Sequence, residues 1–200
     1  MSKLEIELIW CKSYKRNKMG KKILIGFGVF VIIVIAFILY ANNRNRTLSP
    51  PGHTEIENNG LKVSVDYSRP SVRKRLIFGT EAEGALQPYG KYWRLGANEP
   101  TLLTVNKDFN LNGIAVKAGA YDIYAIPSAD GFEIRLNQDG RFWGYTEPDY
   151  SLDILKSPIS STHPGTSVEQ FTIKSKAAGD GVKLVFAWAD RQWNIIIRAE

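Results

Sequence analysis

The chain is 200 residues long, 44% apolar and 23% charged, with a formal net charge of +6. That is enough for one domain with its own core. Its single cysteine, Cys11, excludes an internal disulfide framework and any multi-thiolate metal site. The charge is lopsided. Residues 1–40 hold seven Lys/Arg against two Asp/Glu, a net of +5, and residues 41–200 hold nineteen against eighteen, a net of +1. The basic balance therefore belongs to the N-terminus, and the rest lacks the broad positive field of a nucleic-acid partner.

Residues 1–22 read as a basic cytoplasmic tail, and residues 23–40 as a transmembrane signal anchor. The run from Ile23 to Tyr40 contains no charge, amide or proline. As a helix it extends roughly 27 Å, close to the thickness of a bilayer's hydrocarbon core. Apolar on every side, it has no polar face to turn outward from a soluble core. Tyr40 ends the run, where an amphipathic ring suits the headgroup level. Lys3, Lys12, Lys15, Arg16, Lys18, Lys21 and Lys22 precede the run, while only Arg44 and Arg46 closely follow it. The positive-inside bias expects a cytoplasmic N-terminus and an extracytoplasmic, periplasmic remainder. A cleaved signal peptide is the competing reading, disfavoured by the length of the run and by the poor cleavage match at Tyr40-Ala-Asn-Asn43. Met19-Gly-Lys-Lys22 reads as an alternative start.

Residues 41–59 are polar, contain Pro50-Pro51-Gly52, and are expected to form a spacer. Residues 60–200 are expected to be the exported domain. Leu61, Val63, Val65 and Tyr67 alternate on one face of a strand that Pro70 ends. Arg73-Lys-Arg75 follows, then Leu76-Ile-Phe-Gly79, and residues 81–88 read as a loop. Thr101–Val105 is a strand, and residues 109–116 fold into a hairpin over Asn112-Gly113. Further strands are expected at 120–126, 132–136 and, after Asp139-Gly140, at 141–145. Tyr150, Leu152 and Ile154 suggest a short strand within an irregular, proline-containing stretch. Strands at 170–174, 182–188 and 192–198 complete the set, the last two joined at Asp190-Arg191. About nine short strands without an amphipathic helix predict an all-β domain, an antiparallel sandwich or jelly roll.

Two segments carry more polar and aromatic groups than a scaffold requires: Asp66-Tyr-Ser-Arg-Pro-Ser71 and Pro88-Tyr-Gly-Lys-Tyr-Trp-Arg-Leu-Gly-Ala-Asn-Glu99. Guanidinium forks and aromatic rings suit planar or anionic ligands. Arg69 and Arg94 are the candidate anion clamps, Asn98 and Glu99 the orienting groups, and Tyr89 or Trp93 the stacking wall. The competing reading has Arg69 paired with Glu99 or another carboxylate, Arg94 tying loop carbonyls together, and the rings filling the sandwich end. Trp143, Trp188 and Trp193 are expected in the core.

Catalytic patterns are sparse. No nucleophile elbow surrounds the serines, and neither histidine, His53 or His163, has an evident partner. Glu81 with Glu83, or Glu147 with Asp149, are the carboxylate pairs available for a glycoside hydrolase. No metal or cofactor is expected. Asn45-Arg-Thr47 matches the three-residue glycosylation pattern, which chance also produces.

Tyr67-Ser-Arg-Pro-Ser-Val72, Ile77-Phe-Gly79, Pro88-Tyr-Gly90, Trp93-Arg94, Gly96-Ala-Asn98 with Thr101, and Ala118-Gly-Ala-Tyr121 with Ile126-Pro127 together resemble domain of unknown function family 2911. The resemblance covers about residues 55–200 and implies an exported bacterial β-sandwich without implying a reaction. One departure stands out: Arg73-Lys74-Arg75 occupies a turn where the family pattern has Lys-Gly-Arg. The expectation is a membrane-anchored, non-catalytic binding module for a small or extended polar ligand. A hydrolase acting on envelope carbohydrate, or a structural protein contacting an envelope partner, are the alternatives.

Overall fold

The computed structural model describes residues 3–140 and 144–200, with side chains from Gly20 onward. Contacts divide the chain into two compact units, Met1–Arg44 and Asn45–Glu200. Helix α1 (Lys3–Leu48) runs unbroken for 46 residues, and its apolar side chains from Ile23 to Tyr40 are exposed. The stretch Gly20–Leu48 is long and apolar enough to cross a membrane.

In the second unit, β1 (Pro51–Asn58), β2 (Leu61–Ser68), β5 (Thr101–Val105), β8 (Gly119–Pro127), β9 (Gly131–Asn137) and β10 (Asp153–Ser160) form one antiparallel sheet in the order β1-β2-β5-β8-β9-β10. The second sheet runs β11-β12-β13-β6-β7 from β11 (Val168–Ala178), β12 (Gly181–Ala189), β13 (Arg191–Ala199), β6 (Phe109–Leu111) and β7 (Ile114–Val116). A small parallel pair, β3 (Phe78–Gly79) with β4 (Gln87–Pro88), lies within the connection from β2 to β5. The β6–β7 turn uses Asn112 and Gly113, both at positive φ, as the Asn-Gly signal predicts.

Alternation drives the packing. Leu61, Val63 and Val65 of β2 and Ile134 and Leu136 of β9 are fully buried, as are Leu184, Phe186 and Trp188 of β12. The aromatic centre joins distant segments: Trp93 stacks on Trp188 at 5.5 Å between ring centroids, and Phe132 meets Trp193 at 4.0 Å. Such contacts contribute about 1 kcal/mol each beyond the area buried. Trp188 and Trp193 are thus core residues as expected, while Trp143 lies outside the described residues.

Side chains tie the outermost strands β1 and β11 to each other. The Thr54 Oγ1 accepts from the Ser175 N–H at 3.2 Å, and the Tyr67 hydroxyl of β2 accepts from the Ile173 N–H at 2.9 Å. These bonds occupy edge groups that otherwise invite strand pairing with another chain. They also explain why β1 lies within residues expected as spacer. Its half-buried positions are Gly52, Thr54, Ile56 and Asn58; only Ile56 is a large apolar residue and Thr54 and Asn58 serve the seam, so hydrophobic alternation is absent.

Residues Tyr150–Leu152 form a 3-10 turn instead of a strand. Asp149 caps the turn by accepting from the Ser151 N–H at 2.9 Å, and the apolar alternation that follows is partly exposed. The strand begins at Asp153 and tolerates Pro158 because β10 is last in its sheet. Of the strand expected at 141–145, residues 141–143 lie outside the described residues, and Gly144 and Tyr145 form a turn.

Candidate functional site

The six residues singled out by sequence do not share one pocket. Arg69 is half-buried; its Nε donates to the Phe171 carbonyl at 3.4 Å and its Nη2 to Thr172 Oγ1 at 3.2 Å, so it bridges to β11. The Arg94 Nη1 donates to the Asn98 carbonyl at 3.1 Å, and its guanidinium lies 5.9 Å from the centre of the Tyr145 ring. Asn98 adopts φ 59° and reaches the Ser49 carbonyl and Ser68 Oγ at 3.4 and 3.5 Å. Glu99 pairs with Arg46 at 2.6 Å. Trp93 is 1% exposed and donates its Nε1–H to the Gly96 carbonyl at 3.4 Å.

This loop is closely folded on itself. A Cβ added at Gly96 would approach the Ser68 carbonyl to 2.8 Å, and one at Gly144 would meet Arg94 Cδ at 2.8 Å. Thr101 Oγ1 donates to the Leu95 carbonyl at 2.7 Å and steadies Leu95, which has φ 50°. Glu99 borders a small cleft of about 200 Å³ with Asp66 and Ser68.

Tyr89 stands apart from the other five, beside a broader groove. The Gly90 N–H donates to the Pro127 carbonyl at 2.8 Å, joining the Pro88-Tyr-Gly90 and Ile126-Pro127 segments. The groove measures about 780 Å³. It is bounded by Tyr89 and Gly90, the turn from Pro127 to Gly131, the outward-facing Glu133 and Arg135 of β9, and Pro158 to Ser160 of β10. Behind Tyr89 sits Arg191, whose side chain is 12% exposed. It donates to the Tyr89 hydroxyl at 3.3 Å and to Ser161 Oγ at 2.9 Å.

Arg135 connects the groove to a polar network on the same sheet. Its Nε donates to Glu133 at 2.6 Å and its Nη1 to Asp153 at 3.1 Å. The Asp153 side chain is 1% exposed and also accepts from Tyr124 Oη at 2.8 and 2.9 Å and from Asn137 Nδ2 at 2.8 Å. A buried carboxylate demands such partners, because unmet desolvation costs several kcal/mol. Burial, and then the bond to Asp153, pushes the Tyr124 phenol far above its ordinary range. The neighbouring Tyr150 is pushed up to about 12 by burial and by its bond to Glu147.

The carboxylate pairs offered by sequence serve local structure. Glu83 accepts from the Thr80 hydroxyl and N–H, which lower its pKa, and Asp149 is lowered likewise by Ser151. A general acid needs a shift in the opposite direction. His53 pairs with Asp66 at 2.8 Å, and His163 Nδ1 lies 3.0 Å from the Asp190 carbonyl, both on exposed surface. Among the described residues, no three His, Cys, Asp or Glu side chains form a metal-binding group.

Sequence reasoning missed Glu133, Arg135, Asp153 and Arg191. The meeting of Glu133, Arg135 and Asp153 depends on register, with Tyr124 opposite Arg135 and Asn137 opposite Asp153, across a bulge just after Asp153, while Arg191 comes from β13 of the other sheet. The one early signal was the pair of short Pro-containing segments that meet at Gly90 and Pro127.

A family model described as "Protein of unknown function (DUF2911)" matches residues 49–197. Neither a curated protein nor a solved structure matches the chain.

Proposed function

Since the chain belongs to the DUF2911 family, whose description carries no activity to transfer, we propose from its geometry that it is a membrane-anchored binding module. The 23–40 segment holds it as a single-pass anchor with its N-terminus in the cytoplasm, and the β-sandwich works on the periplasmic side. The ligand is a small or extended polar molecule, such as a glycan or another envelope component, and the groove beside Tyr89 receives it. The groove carries this reading: about 780 Å³ of open concavity combines a tyrosine and prolines with the Arg135–Glu133 pair. That mixture of apolar wall and oriented polar groups suits recognition of polar ligands.

In this reading Tyr89 is the ligand-facing member of the six residues first singled out. Arg69, Arg94, Asn98, Glu99 and Trp93 support the surrounding loops. Arg69, Arg94, Asn98 and Trp93 already donate to protein carbonyls or hydroxyls, and Glu99 accepts from Arg46. Glu83 and Asp149 are tied to Thr80 and Ser151 within their own turns, which in this reading makes them structural groups.

The test is a thermal-stability screen of the full chain in detergent against sugars, nucleotides, organic acids and peptidoglycan fragments. A ligand selective for the native state raises the melting temperature by mass action. The expected result is a specific rise that Tyr89→Ala abolishes and Arg94→Ala retains. Loss with Arg94→Ala and retention with Tyr89→Ala would return the site to the 94–99 loop. No shift with any compound would favour a protein partner.

A further inference from the structure

The loop at residues 73–76 has no part in the groove, yet it is the most concentrated charge on the second unit. Arg73, Lys74 and Arg75 are consecutive and exposed, and Leu76 beside them is 48% exposed. The Leu86 N–H donates to the Leu76 carbonyl at 3.0 Å, so the backbone of a second leucine, 39% exposed, runs beside the first. The backbone presents this tip deliberately: Arg73 and Lys74 hold φ of 51° and 59°, and the Arg75 Nη2 donates to the Ser71 carbonyl at 2.6 Å. Glu169, which accepts from the Arg73 N–H, and Glu83 near Leu76 are the adjacent carboxylates. Each already accepts a backbone hydrogen bond.

A second observation gives the tip its partner. The Arg73 Nη2 donates to the carbonyl of Leu48, the last residue of α1, at 3.4 Å. Leu48 follows Tyr40, the end of the apolar run, by eight residues, which span at most about 28 Å in any conformation. So short a tether keeps the tip close to the lipid surface of an anchored chain, whichever way the domain is turned. Cations flanking exposed leucines match an anionic bilayer interface, where ammonium and guanidinium groups meet phosphates and apolar side chains enter the acyl boundary.

We propose that the Arg73–Leu76 loop, with Leu86, is a docking surface for anionic lipid headgroups of the membrane that anchors the chain. The proposal rests on the anchored reading above. Each cation engaged at an anionic surface strengthens attachment on the order of fivefold, the equivalent of about 1 kcal/mol. Docking would hold the sandwich against the membrane instead of leaving it free to tumble on its helix.

The test uses the full chain in nanodiscs of phosphatidylcholine, with or without phosphatidylglycerol. A nitroxide is placed at Leu86→Cys in a Cys11→Ser background, and Lys107→Cys serves as the solvent reference. The expected result is a severalfold higher ratio of oxygen to nickel-complex accessibility at 86 when phosphatidylglycerol is present. The rise is lost in Lys74→Glu/Arg75→Glu and in about 0.5 M salt. A ratio at 86 equal to that at 107 in both lipids would overturn the proposal. So would a change that inorganic phosphate reproduces in phosphatidylcholine discs, which marks a small-anion site. Release of the chain from native membranes by alkaline extraction would bring down the anchored reading, and the docking surface with it.

Discussion

Arg94 and Arg135 sit in two polar clusters of the same sandwich, and their partners differ in kind. Arg94 donates to a backbone carbonyl of its own loop. Arg135 donates to two carboxylates, one of them on a side chain 1% exposed. A guanidinium on carbonyls fixes the path of the chain, whereas one on a buried carboxylate also compensates a charge the fold has removed from water. The Arg94–Asn98 bond of the first cluster closes within a few residues. The second joins β8, β9 and β10 and exists only when their register is correct.

Asp153 holds the second cluster together. Asp153→Ala removes the shared acceptor of Tyr124, Arg135 and Asn137 and should cost about 3 kcal/mol, read as a large fall in thermal midpoint. Asp153→Asn keeps the shape and should cost less. Arg94→Ala loses the bond to the Asn98 carbonyl and the contact with Tyr145, which together are worth about 1–2 kcal/mol. Equal losses at the two positions would mean that Asp153 is not the organising group of its network.

How much of this the sequence disclosed follows the same division. Strands whose one face meets the core announced themselves by alternation, as at Leu61, Val63 and Val65 or Val182, Leu184 and Phe186. The apolar helix was equally legible. Strand β1 was hidden because Thr54 and Asn58 face a hydrogen-bonded seam, so the pattern that identifies a strand is missing. The 94–99 loop drew notice because its polar groups are consecutive. The groove did not, because its wall is assembled from residues 89, 127–135 and 158–160, and no local pattern encodes the pairing of Asp153 with Asn137.

A third loop sharpens the contrast between clamped and unclamped strain. Leu95 and Asn98 have positive φ and are held by Thr101, Ser49 and Ser68. Lys74 has φ 59° with an exposed side chain. Lys74→Gly should therefore stabilise the fold by about 1 kcal/mol, because a side chain in the left-handed region is strained and glycine is not. The same replacement for Asn98 should destabilise, since it relieves strain but gives up two hydrogen bonds. Thermal midpoints of the two variants moving in the same direction would mean that backbone strain, not clamping, governs both loops.

The smallest expected effect lies at the rim of the Asp153 network. Tyr150 donates to Glu147 at 2.6 Å, and its pKa in the folded chain is pushed up to about 12 by burial and by that carboxylate. The ordinary tyrosine value is about 10. A raised value means that the folded state holds the proton more tightly. Its stabilisation is complete below pH about 10 and is lost as pH rises toward about 12. Tyr150→Phe, which has nothing to ionise, should be less stable than the parent by about 0.5 kcal/mol at pH near 8. The gap should narrow above pH about 10 and then reverse, because the parent must expose or ionise a phenol beside Glu147 while the variant need not. Thermal midpoints of both chains across that alkaline range measure it. Parallel curves would show that Tyr150 leaves its carboxylate partner freely, and that the network ends at Asp153 instead of extending to the surface.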